Sequence, residues 1–137
     1  MNETGARIVV VDDEPNIRRL LAGVLSDEGH ECATVGSVED LRSALREEPA
    51  DLVLLDVCLP GEDGMEWLTQ HVRGDRSDVG AVIMMSGHGT IDLALKAVRL
   101  GAVDFLEKPI AGDRLLLSVE NALALSTLRR ENERLRG

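Results

Sequence analysis

Four short strand-like runs in this chain each lead into a residue of reactive or conformationally special chemistry, and no other feature narrows the fold as far. Ile8-Val9-Val10-Val11 leads into Asp12 and Asp13, and Leu52-Val53-Leu54-Leu55 leads into Asp56. Ala81-Val82-Ile83-Met84-Met85 leads into Ser86, and Asp104-Phe105-Leu106-Glu107 leads into Lys108-Pro109. The first three of these are continuous apolar runs, as expected of strands covered on both faces in a parallel sheet. The carboxyl ends of parallel strands share one rim, and ligands sit on that rim where the strand order reverses. Three carboxylates, a hydroxyl and an ammonium group are therefore expected to meet at one place.

Amphipathic stretches separate the runs, which is the alternation of βα units around a parallel sheet. Strands are expected near 7–11, 31–35, 52–56, 81–86 and 104–107. The second, Glu31-Cys32-Ala33-Thr34-Val35, alternates in polarity and belongs nearer an edge. Pro15 suits a first helical position, and Ile17, Leu20, Leu21, Val24 and Leu25 make a helical stripe ending near Gly29. Ser37 with Asp40 three residues on resembles a capping box for a helix through about Glu47. Met65, Leu68 and Val72 form a third helical face; Ile91, Leu95 and Val98 form a fourth, stopped by Gly101.

The last helix starts near Asp113 and meets no breaker before Gly137. Leu115, Leu116 and Val119 are placed to pack on the sheet. Leu125, Leu128, Asn132 and Leu135 instead fall on alternate a and d positions of a heptad, with Arg129, Arg130, Glu131, Glu133 and Arg134 between them. Residues 1–124 are thus expected to form one domain, and residues 125–137 the start of a helical linker with a weak tendency to pair two chains.

At 137 residues the chain suffices for one domain that buries about two-thirds of its unfolded surface. Trp67 and Phe105 are its only aromatics, so the core must be aliphatic. A formal charge of -10 argues against direct binding of nucleic acid, because phosphate contacts need Lys and Arg. Cys32 and Cys58 match no metal-binding spacing and read as reduced thiols. No apolar run reaches the length of a membrane span, and the first residues lack the basic and apolar regions of a signal peptide. A cytoplasmic location is expected.

The converging carboxylates demand a counter-charge. Near 5 Å and at an effective dielectric of about 20, each like-charge pair costs roughly 3 kcal/mol. That is a heavy load on a domain whose whole stability is about 5–15 kcal/mol. Either one carboxyl keeps its proton or a cation occupies the site. An all-oxygen donor set suits Mg²⁺ or Mn²⁺. A metal alone does not call for Lys108 and Ser86, whereas a phosphoryl group does: the ammonium neutralises its oxygens and the hydroxyl donates to them. A carboxylate can carry the phosphoryl as an acyl phosphate, and Asp56, on the strand expected to be central, is the candidate nucleophile.

At these residues the chain resembles the receiver domain of two-component response regulators. The matching segments are Val11-Asp12-Asp13-Glu14-Pro15, the run from Leu54 to Gly64 around Asp56, Met85-Ser86-Gly87-His88, and the run from Gly101 to Pro109. The resemblance covers about residues 6–124. It implies a flavodoxin-like α/β three-layer sandwich with a five-stranded parallel sheet in the order 2-1-3-4-5, an order that a receiver typifies. It implies that Asp56 accepts a phosphoryl group from a phosphohistidine on a sensor histidine kinase. Asp13, Asp56 and the backbone carbonyl of Cys58 would then hold Mg²⁺ directly, and Asp12 would act through water. Ser86 and Phe105 would form the switch, Ser86 moving to the phosphoryl oxygen and Phe105 turning inward. Lys108-Pro109 would be a cis peptide, which X-Pro bonds adopt in only about 5–6% of folded cases.

Ser86-Gly87-His88-Gly89-Thr90-Ile91, Asp104 to Ile110 and Asp113-Arg114-Leu115 resemble the enhancer-binding activators of the nitrogen-regulation and dicarboxylate-transport types. In that group the output is transcriptional activation, and nucleic acid would be met only through an output domain absent here. Three positions stand apart from the family pattern. Cys58 and His88 occupy variable positions flanking the path of attacking water, and Glu62 replaces a usual apolar residue, which predicts a more exposed loop. A small phosphohydrolase with an aspartyl nucleophile is the competing reading, but such enzymes separate their first two aspartates by one residue, whereas Asp12 and Asp13 are adjacent. A flavin-binding flavodoxin is disfavoured by the lack of a hydroxyl- and Gly-rich phosphate loop and of aromatics.

Overall fold

The computed structural model describes residues 5–59, 61–74 and 78–136. Among them, five parallel strands alternate with five helices: β1 Arg7–Val11, α1 Pro15–Asp27, β2 Glu31–Val35, α2 Val38–Glu47, β3 Ala50–Asp56, α3 Gly64–Arg73, β4 Val79–Ser86, α4 Ile91–Leu100, β5 Asp104–Glu107 and α5 Gly112–Arg136. The sheet order is β2-β1-β3-β4-β5, as expected, which leaves β2 on an edge and β3 in the middle.

The aliphatic runs explain the layers. Successive side chains of a strand point to opposite faces, so an unbroken apolar run feeds two cores at once. Val9, Val11, Val53, Leu55, Val82 and Met84 face α2, α3 and α4, where they meet Leu41, Leu45, Trp67, Leu68 and Ala97. Ile8, Val10, Leu52, Leu54, Ile83 and Met85 face α1 and α5, where they meet Leu21, Leu25, Leu115, Val119 and Ala122. A one-residue slip of any strand would exchange the two sets.

Local chemistry sets the helix starts. Pro15 occupies the first turn of α1. The Ser37 hydroxyl accepts from the Asp40 N–H at 3.1 Å, Asp63 from the Met65 N–H at 2.8 Å and Thr90 from the Leu93 N–H at 3.1 Å. Each satisfies an amide that the first turn leaves without a partner.

Two expectations change. β3 and β4 each begin two residues earlier than the apolar runs, at Ala50 and Val79, because these residues pair with each other across the sheet. On α4 the stripe Ile91, Leu95 and Val98 does not face the core: these residues are 80%, 49% and 52% exposed. Ala97 is buried and Leu93 and Leu100 pack beside it, so α4 rests on its opposite face. On α5, Leu125 is half-buried while Leu128 and Asn132 are exposed. Pro60, the side chain of Leu135 and Gly137 lie outside what the structure describes.

Candidate functional site

The register brings the strand ends together. Val11 of β1 stands opposite Leu55 of β3, Asp56 opposite Met85 of β4, and Ser86 opposite Glu107 of β5. The residues that follow these strands therefore share one rim. It lies beside the β1–β3 junction, where the chain reverses its direction of travel across the sheet.

Asp12 and Asp56 are buried, at 0% and 4% exposure, whereas Asp13 is exposed. One carboxylate oxygen from each can be chosen so that all three lie within 4.8 Å of one another. The Lys108 ammonium lies between two of these groups, 2.6 Å from Asp12 Oδ2 and 2.8 Å from Asp56 Oδ2. Backbone amides take the other oxygens: Glu14 N–H donates to Asp12 Oδ1 at 2.9 Å, and Cys58 N–H donates to Asp56 Oδ1 at 3.0 Å. The convergence expected of Asp12, Asp13, Asp56 and Lys108 is present.

Burial is the main cause that pushes the Asp56 carboxyl above the usual aspartate range, with help from the neighbouring Asp12 charge. Hydrogen bonds from Lys108 and Cys58 oppose that push without cancelling it. Burial also pulls the Lys108 ammonium down, but hydrogen bonds to Asp12 and Asp56 outweigh it and the net shift is upward. One ammonium thus serves two buried carboxylates, and the site remains short of positive charge. Its donors are all hard carboxylate oxygens, a set that fits Mg²⁺ or Mn²⁺ rather than a thiol-seeking metal.

Ser86 reaches the rim fully buried, but its hydroxyl accepts from the His88 N–H at 3.0 Å, within its own turn. Its carbonyl accepts from the Lys108 N–H at 2.9 Å, which ties β4 to the lysine. Phe105 is half-buried, its ring lying against Gly89 in the loop that follows Ser86. The Lys108-Pro109 bond is cis, as expected. Cys32 and Cys58 are both free thiols.

The loop at Glu62 is exposed at Gly61 and Asp63, as expected, but Glu62 itself is held. Its carboxylate is paired bidentately with Arg42 of α2, at 2.6 and 2.7 Å, and Gln70 of α3 accepts from the same guanidinium at 2.8 Å. This holds the loop after Asp56 against α2 and leaves Glu62 only partly exposed. Sequence reasoning also passed over Arg18, whose Nη1 donates to the Asp12 carbonyl at 2.5 Å. Only its place one turn into α1, facing the β1–α1 loop, hinted at that contact.

A flavodoxin-like sheet with a buried carboxylate, an acidic pair and a lysine at its switch point is the arrangement expected of a response regulator receiver domain. The sequence matches the response regulator receiver domain family over residues 8–120, and the chain belongs to that family. It is 40% identical over 126 residues to the nitrogen assimilation regulatory protein NtrX of Azorhizobium caulinodans, covering 90% of this chain and 27% of that protein. The crystal structure of NtrX from Brucella abortus in complex with ADP superposes with a TM-score of 0.88 at 44% identity, over 98% of this chain and 30% of that one. The beryllofluoride-activated NtrC4 receiver domain dimer superposes with a TM-score of 0.81 at 32% identity, over 88% of this chain and 98% of that one. The chain spans less than a third of the length of the two NtrX proteins. It is a two-component response regulator receiver domain of their type. Among the described residues no helix is long and apolar enough to cross a membrane.

Proposed function

We propose that this receiver is an active phosphoacceptor and that Asp56 is its acceptor. The observation that carries the reading is the buried Asp56 carboxylate, held by Lys108 and the Cys58 amide beside Asp12 and Asp13. A carboxylate oxygen of Asp56 would attack the phosphorus of a phosphohistidine on a sensor histidine kinase. The new P–O bond forms as the P–N bond breaks, and the electron pair returns to the imidazole nitrogen. Asp13, Asp56 and the Cys58 carbonyl would hold Mg²⁺ or Mn²⁺, with Asp12 acting through water. The ion supplies charge stabilisation to the transferring phosphoryl group. Lys108 gives the same service from the protein side, and the amides of Glu14 and Cys58 fix the carboxylates that do the work.

Phosphorylation would draw the Ser86 hydroxyl from the His88 amide to the phosphoryl oxygen. Phe105, resting on the same loop at Gly89, would follow inward. The domain (residues 1–124) catalyses its own phosphorylation and slow dephosphorylation rather than turning over a substrate, and residues 125–137 begin a linker to a transcription-activating output domain. The exposed Ile91, Leu95 and Val98 of α4 and Leu128 of α5 support a weak homodimer that phosphorylation strengthens, in a cytoplasmic protein.

The chain should gain one phosphoryl mass on incubation with acetyl phosphate or phosphoramidate and Mg²⁺, and Asp56→Asn should abolish the gain. A phosphorylated peptide that lacks Asp56 would overturn the assignment.

A further inference from the structure

Three segments meet around one guanidinium. Arg18 leaves the first turn of α1, where its own N–H donates to the Glu14 carbonyl at 3.1 Å. Its side chain turns back so that Nη1 donates to the Asp12 carbonyl. Beside it lies Gly36, in the turn between β2 and α2. A Cβ there would stand 3.2 Å from Arg18 Nη1, tighter than ordinary van der Waals contact, and 3.9 Å from the Asp12 carbonyl. The space beside the guanidinium is open because residue 36 is a glycine.

The bonded carbonyl belongs to the peptide that joins Asp12 to Asp13. The N–H on the other side of Asp12 donates to the Val35 carbonyl at 3.1 Å. Residue 12 is therefore held at both of its peptide planes, once by β2 and once by Arg18. Those two planes set the directions in which the Asp12 and Asp13 side chains leave the backbone. In that setting Asp12 Oδ2 reaches Lys108 and Oδ1 takes the Glu14 amide.

We propose that Arg18 is a positioning residue for the divalent-cation site, acting through the Asp12–Asp13 peptide and touching neither ion nor phosphoryl group. The inference rests on the reading of Asp12, Asp13 and Asp56 as that site. Its sign separates it from simple electrostatics. Arg18 is a fixed cation near a site that attracts cations. If its charge were all that mattered, removing it would tighten metal binding. If it holds the peptide, removing it loosens the carboxylates and weakens binding, since ligands must be held within a fraction of an ångström of the productive geometry.

The test is Mg²⁺ affinity by calorimetric titration of the whole chain, with melting in chelator as the control for folding. Arg18→Ala should weaken Mg²⁺ binding about tenfold, and Arg18→Lys, which keeps a donor that can reach the carbonyl, should recover part of the loss. Gly36→Val keeps the arginine charge but pushes the guanidinium aside, and it should weaken binding in the same direction. Two variants, one without the charge and one with it, thus agree only if geometry is the cause. Tighter or unchanged binding in Arg18→Ala and Gly36→Val, with normal binding by the unaltered chain, overturns the role of Arg18 alone. Failure of the unaltered chain to bind Mg²⁺ overturns the site itself and this role with it.

Discussion

Replacing Lys108 with Met tests the charge balance of the site most directly. The change keeps much of the aliphatic stem and removes the ammonium that lies 2.6 Å from Asp12 Oδ2 and 2.8 Å from Asp56 Oδ2. Asp12 is 0% exposed and Asp56 4%, so both carboxylates lose their cation where little water reaches them. Removing one member of a buried ion pair costs about 3–5 kcal/mol, because the other is left buried and uncompensated. For a 137-residue chain, an unfolding entropy of about 2.1 cal/mol/K per residue makes each kcal/mol worth roughly 3.5 °C in Tm. Lys108→Met should therefore melt roughly 10–17 °C lower at pH 7.5 in chelator. The raised Lys108 pKa places its contribution in full below the ordinary lysine value, so pH 7.5 reads all of it. Two things should restore the loss. Lowering the pH toward 4 lets an aspartyl group take a proton, and Asp56, already raised by burial, is the readier to do so. Mg²⁺ supplies the missing charge by binding only the native state, so its effect on Tm should be larger in Lys108→Met than in the unaltered chain. Melting within about 2 °C of the unaltered chain in chelator, or an equal Mg²⁺ effect in both, would refute this account of the site.

Three further outcomes are expected. A double-mutant cycle on Arg42→Ala and Glu62→Ala should give a coupling of about 0.5–1 kcal/mol, because the pair is bidentate yet partly exposed, and salt should reduce it. Burial raises the Asp104 carboxyl, but hydrogen bonds from Ser118, Arg114 and its neighbouring Phe105 amide outweigh it and hold it below the ordinary aspartate value. Its stabilising effect is thus present above that value and lost as pH falls through the folded pKa, so Asp104→Asn should lower Tm at pH 7 and converge with the unaltered chain in acid. Gly89→Ala would place a Cβ 2.9 Å from the Phe105 ring; the ring signals of this single phenylalanine should shift in NMR spectra while the Mg²⁺ effect on Tm is kept.

The rim of the sheet was legible in the sequence because each of its groups ends a strand or follows directly on one, and three of those strands carry an unbroken apolar run. Adjacency in the chain then becomes adjacency in space once the strands are parallel and in register. Asp12, Asp56, Ser86 and Lys108 all obey that rule. The starts of β3 and β4 do not, since Ala50 and Val79 are strand residues only by pairing with each other. On α4, a period of 3.6 marks an apolar face without saying which way it looks. Ile91, Leu95 and Val98 make the more conspicuous stripe, yet the small Ala97 and its neighbours Leu93 and Leu100 meet the sheet.

Glu62 and Arg18 were illegible for a different reason. Each finds its partner across a turn or between elements: Glu62 meets Arg42 twenty residues earlier, and Arg18 meets a carbonyl that no residue type announces. Both contacts brace loops rather than strands. The strand ends bring the acidic groups to the rim, but a carboxylate at the start of a loop can still point several ways. The amides of Glu14 and Cys58 fix the oxygens of Asp12 and Asp56, while Arg18 holds the Asp12–Asp13 peptide and the Arg42–Glu62 pair holds the loop after Asp56 against α2. The role proposed for Arg18 therefore lies outside the motif that advertises the site, and a substitution there should loosen the carboxylates while every motif residue is intact.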